Sequence, residues 1–204
     1  ILLSMAHQRN REWITMETSK TNDHLGGHLN RTNIDEGALD WLINTYQPVS
    51  FLDIGCGPGG MVELASDKGL YSVGIDGDPS VKNEKIVMHD FEDGTIDMHR
   101  ESLAGVYDIG WSVEFVEHVY EKFMDNYMPA FQSCKTVVIT YAPPGTPGHH
   151  HVNLQEEDYW VDKFKQYGFT FDPDNTKKLR ASSTMNLKKK SAQMRGMVFK
   201  NDTF

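Results

Sequence analysis

Residues 51–60 read Phe-Leu-Asp-Ile-Gly-Cys-Gly-Pro-Gly-Gly, an apolar run that ends in a turn with four glycines. The run predicts a short buried strand, and the residues that follow it, Pro58–Asp67, have helical spacing. A strand that leads through such a turn into a helix leaves backbone N–H groups free for the polar end of a ligand. Glycines permit positive φ and a close approach to the backbone. The stretch therefore predicts an α/β fold with a ligand site at the turn.

Strands and helices alternate on both sides of this turn. Strands are predicted at Val49–Ile54, Tyr71–Ile75, Lys85–Met88, Tyr107–Ser112, Cys134–Tyr141, Phe169–Phe171 and Met194–Phe199. Helices are predicted from Asp35, as N-cap, to Tyr46, and at Pro58–Asp67, Glu114–Ala130, Glu156–Tyr167 and Pro173–Ala181, with a short one near Asn10–Thr18. Alternation of this kind indicates a mostly parallel sheet with helices on both faces. We expect an N-terminal extension over residues 1–34 and one domain over residues 35–204.

Composition is consistent with one domain in the cytoplasm. The chain has 204 residues and a formal net charge of −9, and no apolar run approaches the roughly 18–20 residues that cross a bilayer. Cys56 and Cys134 lack metal-ligand spacing, which favours a reducing compartment. Residues 163–204 carry 10 of the 20 Lys and Arg but only 3 of the 29 Asp and Glu. This basic end is interpreted either as a solvated face or as a surface that meets an anionic acceptor.

Asp53 distinguishes between two kinds of cofactor. Gly55, Gly57 and Gly60 satisfy the G-x-G-x-x-G pattern of dinucleotide sites, and Asp76 follows Gly55 by 21 residues, near the spacing of their ribose-binding acid. A carboxylate at Asp53, however, would repel a pyrophosphate. S-adenosylmethionine has no phosphate, and its methionine end carries an ammonium and a sulfonium. The acid therefore favours S-adenosylmethionine over a nicotinamide or flavin dinucleotide.

Acidic residues also end the next two predicted strands. Asp76 is placed for a ribose diol, Asp90 for an adenine amino group, and Phe91 can cover the adenine ring. Three acids in order at the carboxyl ends of consecutive strands form a stronger signal than any one of them. The predicted cofactor residues are Asp53, Gly55, Cys56, Gly57, Gly59, Gly60, Asp76, Gly77, Asp90, Phe91, Trp111 and Ser112.

Over roughly residues 35–200 the sequence resembles class I, Rossmann-like methyltransferases that use S-adenosylmethionine. Residues 53–60, 74–76 and 89–91 look like their first three motifs, and Tyr107–His118 looks like their fourth-strand segment. A loop that ends in His149-His-His-Val-Asn153 is similar to a "HHVN" loop after strand five in a bacterial and phage group of uncharacterised methyltransferases. The resemblance implies a seven-stranded sheet whose last strand is antiparallel, and it implies no particular substrate.

Glutamate and histidine residues follow the fourth and fifth strands. Glu114, Glu117 and His118 have i, i+3 and i+4 spacing, so on the predicted helix they would share one face. With His150 they are the candidate ligands of a metal, Mg²⁺ or Mn²⁺, and this Glu-x-x-Glu-His pattern is similar to that of small-RNA 3′-terminal 2′-O-methyltransferases. The alternative is metal-free catalysis with His150 or His151 as general base. The candidate catalytic residues are Glu114, His118, His150 and His151.

Three functions remain open at this point. The first is O-methylation of a small molecule or sugar, and the second is 2′-O-methylation of RNA. An acidic chain without an added RNA-binding module disfavours nucleic acid as partner. The third is a non-catalytic subunit that binds S-adenosylmethionine. Trp111-Ser-Val-Glu stands where enzymes that methylate amino groups of bases carry an Asn-Pro-Pro-Tyr-like run, so that reaction is disfavoured.

Overall fold

The computed structural model describes residues 23–100, 103–185 and 195–204. The strands are β1 (Ser50–Ile54), β2 (Tyr71–Asp76), β3 (Ile86–Met88), β4 (Tyr107–Ser112), β5 (Cys134–Ile139), β6 (Phe169–Phe171) and β7 (Met197–Asn201). The helices are α1 (Glu36–Tyr46), α2 (Gly60–Asp67), α3 (Met124–Gln132), α4 (Glu157–Gln166) and α5 (Pro173–Ser182). The predicted helix near Asn10–Thr18 and the lysines Lys188–Lys190 lie outside the described residues.

The seven strands form one sheet in the order β3-β2-β1-β4-β5-β7-β6. The first five pair in parallel, and β7 runs antiparallel to both β5 and β6. The predicted seven-stranded sheet with an antiparallel last strand is therefore confirmed. Strand order reverses between β1 and β4, and ligands of open α/β sheets bind outside the carboxyl ends of the strands at this point.

Side chains of the sheet alternate between two hydrophobic clusters. In β5, Val137 and Ile139 belong to one cluster and Val138 to the other, as the two-residue period of a strand requires. One cluster includes Tyr127 of α3 and Trp160 and Phe164 of α4; the other includes Leu39 of α1, Met61 of α2 and Leu179 of α5. Helices thus cover both faces, as predicted. None of the helices in the described part of the chain has the length and apolarity that spanning a bilayer requires.

The predicted helix Glu114–Ala130 is wrong in its first half. Residues 113–120 form turns, and a 3₁₀ turn at Glu121–Phe123 precedes α3. The carbonyl of Glu117 accepts hydrogen bonds from the N–H groups of Val152 and Asn153, at 3.0 and 3.1 Å. These bonds to a distant loop replace the bond that a helix would make to the fourth residue ahead. Glu114, Glu117 and His118 therefore do not share a helical face.

Several other predicted boundaries differ by a few residues, and two of them have a local reason. The helix after the glycine-rich turn begins at Gly60 and not at Pro58, because Gly59 is its N-cap with a left-handed φ of 86°. Strand β5 ends at Ile139 and not at Tyr141. Its pairing with β7 also ends at Ile139, which pairs with Met197. The predicted last strand began at Met194, outside the described residues, and β7 is described from Met197.

Candidate functional site

The glycine-rich turn is folded back against the end of β2. The N–H groups of Gly55 and Cys56 both donate to the carbonyl of Ile75, at 2.9 and 3.1 Å. Gly55 has a φ of 75°, and a Cβ there would lie 2.3 Å from Cδ2 of Phe115. Both the dihedral angle and this close approach require glycine. The turn is thereby held at the carboxyl end of β1.

Asp53 is buried in β1, with 3% of its surface exposed. Burial, and next the negative charge of Asp76, raise the pKa of this carboxyl well above its usual range. An acid in this position is stabilised when a positive charge comes close to it. The electrostatics of the turn therefore favour a cationic ligand group.

Asp76 is oriented by two backbone donors at the end of β2. Its carboxylate accepts from the N–H of Gly57 at 2.7 Å and from the N–H of Asp78 at 2.8 Å. Burial nevertheless raises its pKa, and these two bonds oppose the shift. Gly77 follows, and a Cβ there would lie 2.9 Å from a methyl group of Leu25. The predicted ribose-binding acid is thus held rigidly at the wall of a cavity.

Asp90 and Phe91 follow β3. Asp90 accepts from the N–H of Glu92 at 2.9 Å, and Nε2 of His24 lies 3.0 Å from its other oxygen. The ring of Phe91 packs edge-on against Phe115, with centroids 5.6 Å apart. Both residues face the same cavity as Asp53 and Asp76.

This cavity has a volume of about 350 Å³ and opens at the carboxyl ends of β1 to β4. Of the predicted cofactor residues, those on its wall are Asp53, Gly55, Cys56, Gly57, Asp76, Gly77, Asp90, Phe91 and Trp111. Gly59, Gly60 and Ser112 are not on the wall. Gly59 is the N-cap of α2 and Gly60 its first residue. The hydroxyl of Ser112 donates to the Ile54 carbonyl at 2.8 Å. These three residues therefore hold the backbone of the site and do not line the cavity.

Residues 23–33, here called the N-terminal strap, form part of the cavity wall, and no role was predicted for them. His24 reaches Asp90, and Nε2 of His28 lies 3.0 Å from a carboxylate oxygen of Asp78. The hydroxyl of Thr32 accepts from the N–H of Gly60 at 2.9 Å. A chemical signal could have pointed to the strap: two histidines flank Gly26-Gly27 in an otherwise polar segment.

Glu114 lies two residues after the end of β4, on the wall of the cavity. Its φ of 56° is unusual for a residue with a side chain. Its N–H donates to the hydroxyl of Thr140 at 2.8 Å. Within the described residues its buried Oε1 has no hydrogen-bond partner. Glu114 is therefore an acid with a strained backbone and an unpartnered oxygen on the cavity wall.

Glu117, His118 and His151 form a three-residue cluster behind Glu114. One ligand atom from each lies within 4.8 Å of the others, a grouping that could hold a metal ion. Glu117 is fully buried, whereas His118 and His151 are on the cavity wall. The carboxylate and two imidazoles suit Mn²⁺, Fe²⁺ or Zn²⁺. The set differs from the predicted one, because Glu114 and His150 are not in it.

The environment of His118 keeps its imidazole neutral. Burial, and then the neighbouring His151, lower its pKa to about 4. A metal-bound imidazole must be neutral, so this pKa suits a ligand. Nδ1 of His151 lies 2.9 Å from the carbonyl of Thr146, which can only accept, so Nδ1 carries hydrogen and Nε2 has the lone pair.

His150 lies apart from this cluster. Its ring contacts those of Tyr120 and His24, with centroids 5.5 and 6.0 Å away. It is absent from the cavity wall, where His149 and His151 stand instead. The loop therefore presents its first and third histidines to the cavity and turns the second aside.

Solved structures with the same fold include S-adenosylmethionine-dependent methyltransferases. The methyltransferase domain of bacterial CtHen1-CN aligns with a TM-score of 0.50 and 14% identity, over 80% of this chain and 94% of that one. Magnesium protoporphyrin IX methyltransferase from Synechocystis PCC 6803 gives 0.53 and 13%, over 80% and 76%. A methyltransferase from Archaeoglobus fulgidus gives 0.52 and 16%, over 80% and 91%. These likenesses show the class I methyltransferase fold.

Comparison with protein-family models gives no match. Comparison with curated proteins gives none either.

Proposed function

We propose that the chain is an S-adenosylmethionine-dependent methyltransferase. The observation that carries the proposal is the buried carboxylate of Asp53 at the glycine-rich turn, with Asp76 beside it. A cationic ligand end offsets the cost of burying Asp53, whereas a pyrophosphate would add repulsion. The Synechocystis methyltransferase of the same fold has been solved with bound S-adenosylmethionine and with bound S-adenosylhomocysteine.

The cavity residues suggest a role for each part of that cofactor. Asp53 binds the ammonium, and Asp76, already held by two backbone donors, accepts from the ribose diol. Asp90 accepts from the adenine amino group while Phe91 covers the ring. Glu114 lies toward the sulfonium and the acceptor. These assignments follow from the cavity wall and from the order of the strands.

Isothermal titration tests the cofactor. S-adenosylmethionine and S-adenosylhomocysteine are expected to bind with micromolar affinity and NAD is not. Asp76→Ala should weaken binding by about 1.5–3 kcal/mol, the cost of a lost charged hydrogen bond. Binding of NAD in place of S-adenosylmethionine, or an unchanged affinity in the variant, would contradict the proposal.

The acceptor we propose is a hydroxyl group of a small molecule or sugar. The acceptor oxygen attacks the methyl carbon, the carbon–sulfur bond breaks with its electron pair staying on sulfur, and the hydroxyl proton moves to a base. Nε2 of His151 fits the base, because its lone pair is available at the cavity wall. In-line positioning supplies much of the remaining acceleration.

A metal-assisted 2′-O-methylation of RNA is the second candidate, and the cluster Glu117–His118–His151 favours it. The ion would polarise the acceptor hydroxyl and lower its pKa.

Chelation separates the two candidates. A metal enzyme should lose activity in EDTA and regain it with Mn²⁺ or Mg²⁺, and Mn²⁺ should bind the unmodified protein but not Glu117→Gln. Full activity in EDTA, with the largest loss of activity in His151→Ala, would support metal-free catalysis with His151 as the general base. Methyl transfer to a sugar and to the 3′ end of a short RNA, measured in parallel, identifies the acceptor class.

A further inference from the structure

The cavity wall is strongly acidic. Its acids are Asp53, Asp76, Asp90, Glu92 and Glu114. Among the described residues on this wall, Arg31 is the only lysine or arginine. An anionic group that enters the cavity is repelled over most of the surface and attracted at this one side chain. A ligand with one carboxylate therefore has a preferred orientation.

Arg31 is also at the right end of the cavity. It belongs to the N-terminal strap, and its N–H donates to the carbonyl of His28 at 2.9 Å. The next residue, Thr32, is bonded to the N–H of Gly60 at the start of α2. His28 itself packs against Gly57, where a Cβ would lie 3.2 Å from the imidazole. The backbone of Arg31 is thereby held near the glycine-rich turn.

The guanidinium is available for a ligand. Arg31 is exposed and forms no ion pair with any described residue. A guanidinium can bind both oxygens of a carboxylate through two parallel hydrogen bonds. The strap has no other permanent cation in its described residues, since its remaining basic groups are the histidines His24 and His28.

We propose that Arg31 binds the carboxylate of the methionine part of S-adenosylmethionine. The assignment rests on the proposed function and deepens it. Asp53 and Arg31 then hold the two charges of one amino acid, with the negative residue on β1 and the positive residue on the strap. The site selects adenosine derivatives that carry an intact amino acid over those that lack its carboxylate.

Three ligands test this assignment: S-adenosylhomocysteine, its decarboxylated analogue and 5′-methylthioadenosine. In the unmodified protein, S-adenosylhomocysteine should bind most tightly. Arg31→Gln should weaken it about tenfold to a hundredfold, the range of a charge-assisted hydrogen bond. The other two ligands should bind the variant as they bind the unmodified protein. Arg31→Lys should recover part of the loss, because an ammonium keeps the charge but not the bidentate geometry.

Arg100→Gln is the matched control, since it removes an exposed arginine that is not on the cavity wall. It should leave all three affinities unchanged. Equal loss for all three ligands in Arg31→Gln, or no loss for any, would overturn the assignment while leaving the proposed function intact. Failure of the unmodified protein to bind S-adenosylhomocysteine would instead contradict both.

Discussion

The two halves of the cavity are built in different ways. The cofactor half consists of residues at the carboxyl ends of β1, β2 and β3, and two of its acids accept hydrogen bonds from N–H groups two positions further along the chain. Asp76, for example, accepts from Asp78, and Asp90 accepts from Glu92. The histidine half joins residues 113–119 to the loop 143–153 through long-range bonds, such as those from Val152 and Asn153 to Glu117. Because its contacts include local ones, the cofactor half is easier to predict from the sequence. The histidine half depends on tertiary packing.

The largest expected effect separates His118 and His151, which face the cavity, from His150, which does not. His151→Ala should reduce turnover by about 10²–10⁴-fold, the usual contribution of a positioned acid–base group. For the metal enzyme, His118→Ala should cause a loss of similar size, because it removes a ligand of the ion. His150→Ala is the matched control and should lose less than about tenfold, because its ring packs on Tyr120 away from the wall. Methyl transfer from labelled S-adenosylmethionine is the measurement. A greater loss of turnover in His150→Ala than in His151→Ala would contradict this assignment of the two histidines.

The next effect concerns the contact between the two halves, where Phe115 lies on Gly55. Gly55→Ala should destabilise the fold by about 2–4 kcal/mol, since it adds strain at positive φ to a collision with a packed ring. Gly69→Ala is the control: it has a φ of 89° but no atom within 4 Å of the added Cβ. It should cost about 1 kcal/mol, from the backbone alone. Urea denaturation followed by fluorescence measures both.

Equal losses in these two variants would mean that Phe115 does not press on the turn. The two halves would then be independent, and Gly55 would be required only for its dihedral angle. A larger loss at Gly55, in contrast, ties the position of residues 113–119 to the cofactor turn.

The strands that carry the cofactor half were predicted well from the sequence, whereas the backbone of the histidine half was predicted poorly. Strand β4 was predicted at its observed bounds because Tyr107, Ile109 and Trp111 alternate with polar or small residues, the two-residue period of a strand. The helix from Glu114 was wrong because Glu117 is buried and its carbonyl bonds a loop more than thirty residues away. No periodicity records such a contact. Likewise, which of three consecutive histidines faces the cavity depends on the loop backbone, where His150 has a positive φ of 45°.

The N-terminal strap is a third case. Its residues 23–33 have no regular period, so pattern analysis treats them as an extension. Their place over the cavity comes from side-chain pairs with Asp78 and Asp90, which are far along the chain. Clusters of histidine and glycine in a polar segment are a chemical signal, and they carry no information about which acids the histidines meet.

The smallest expected effect is a gain in stability at Asp53. Its folded-state pKa is raised, so between the pKa of the unfolded chain and that higher value the folded protein binds more protons. The free energy of unfolding contributed by this group therefore falls as the pH rises through that window. Asp53→Asn removes the buried charge, and should stabilise the cofactor-free protein at pH 8 by about 0.5–2 kcal/mol, as is usual when a destabilised functional site is relieved. At pH 4 the two proteins should differ little.

The same variant should lose affinity for S-adenosylmethionine, because the amide no longer attracts the ammonium. Thermal unfolding at several pH values, with and without S-adenosylmethionine, measures both effects in one series. Without ligand at high pH, the unmodified protein should be less stable than Asp53→Asn. Addition of S-adenosylmethionine should stabilise the unmodified protein more than the variant. If Asp53→Asn were less stable than the unmodified protein at every pH without ligand, the carboxylate would be a structural group. The argument that a cationic ligand offsets the cost of burying Asp53 would then be wrong.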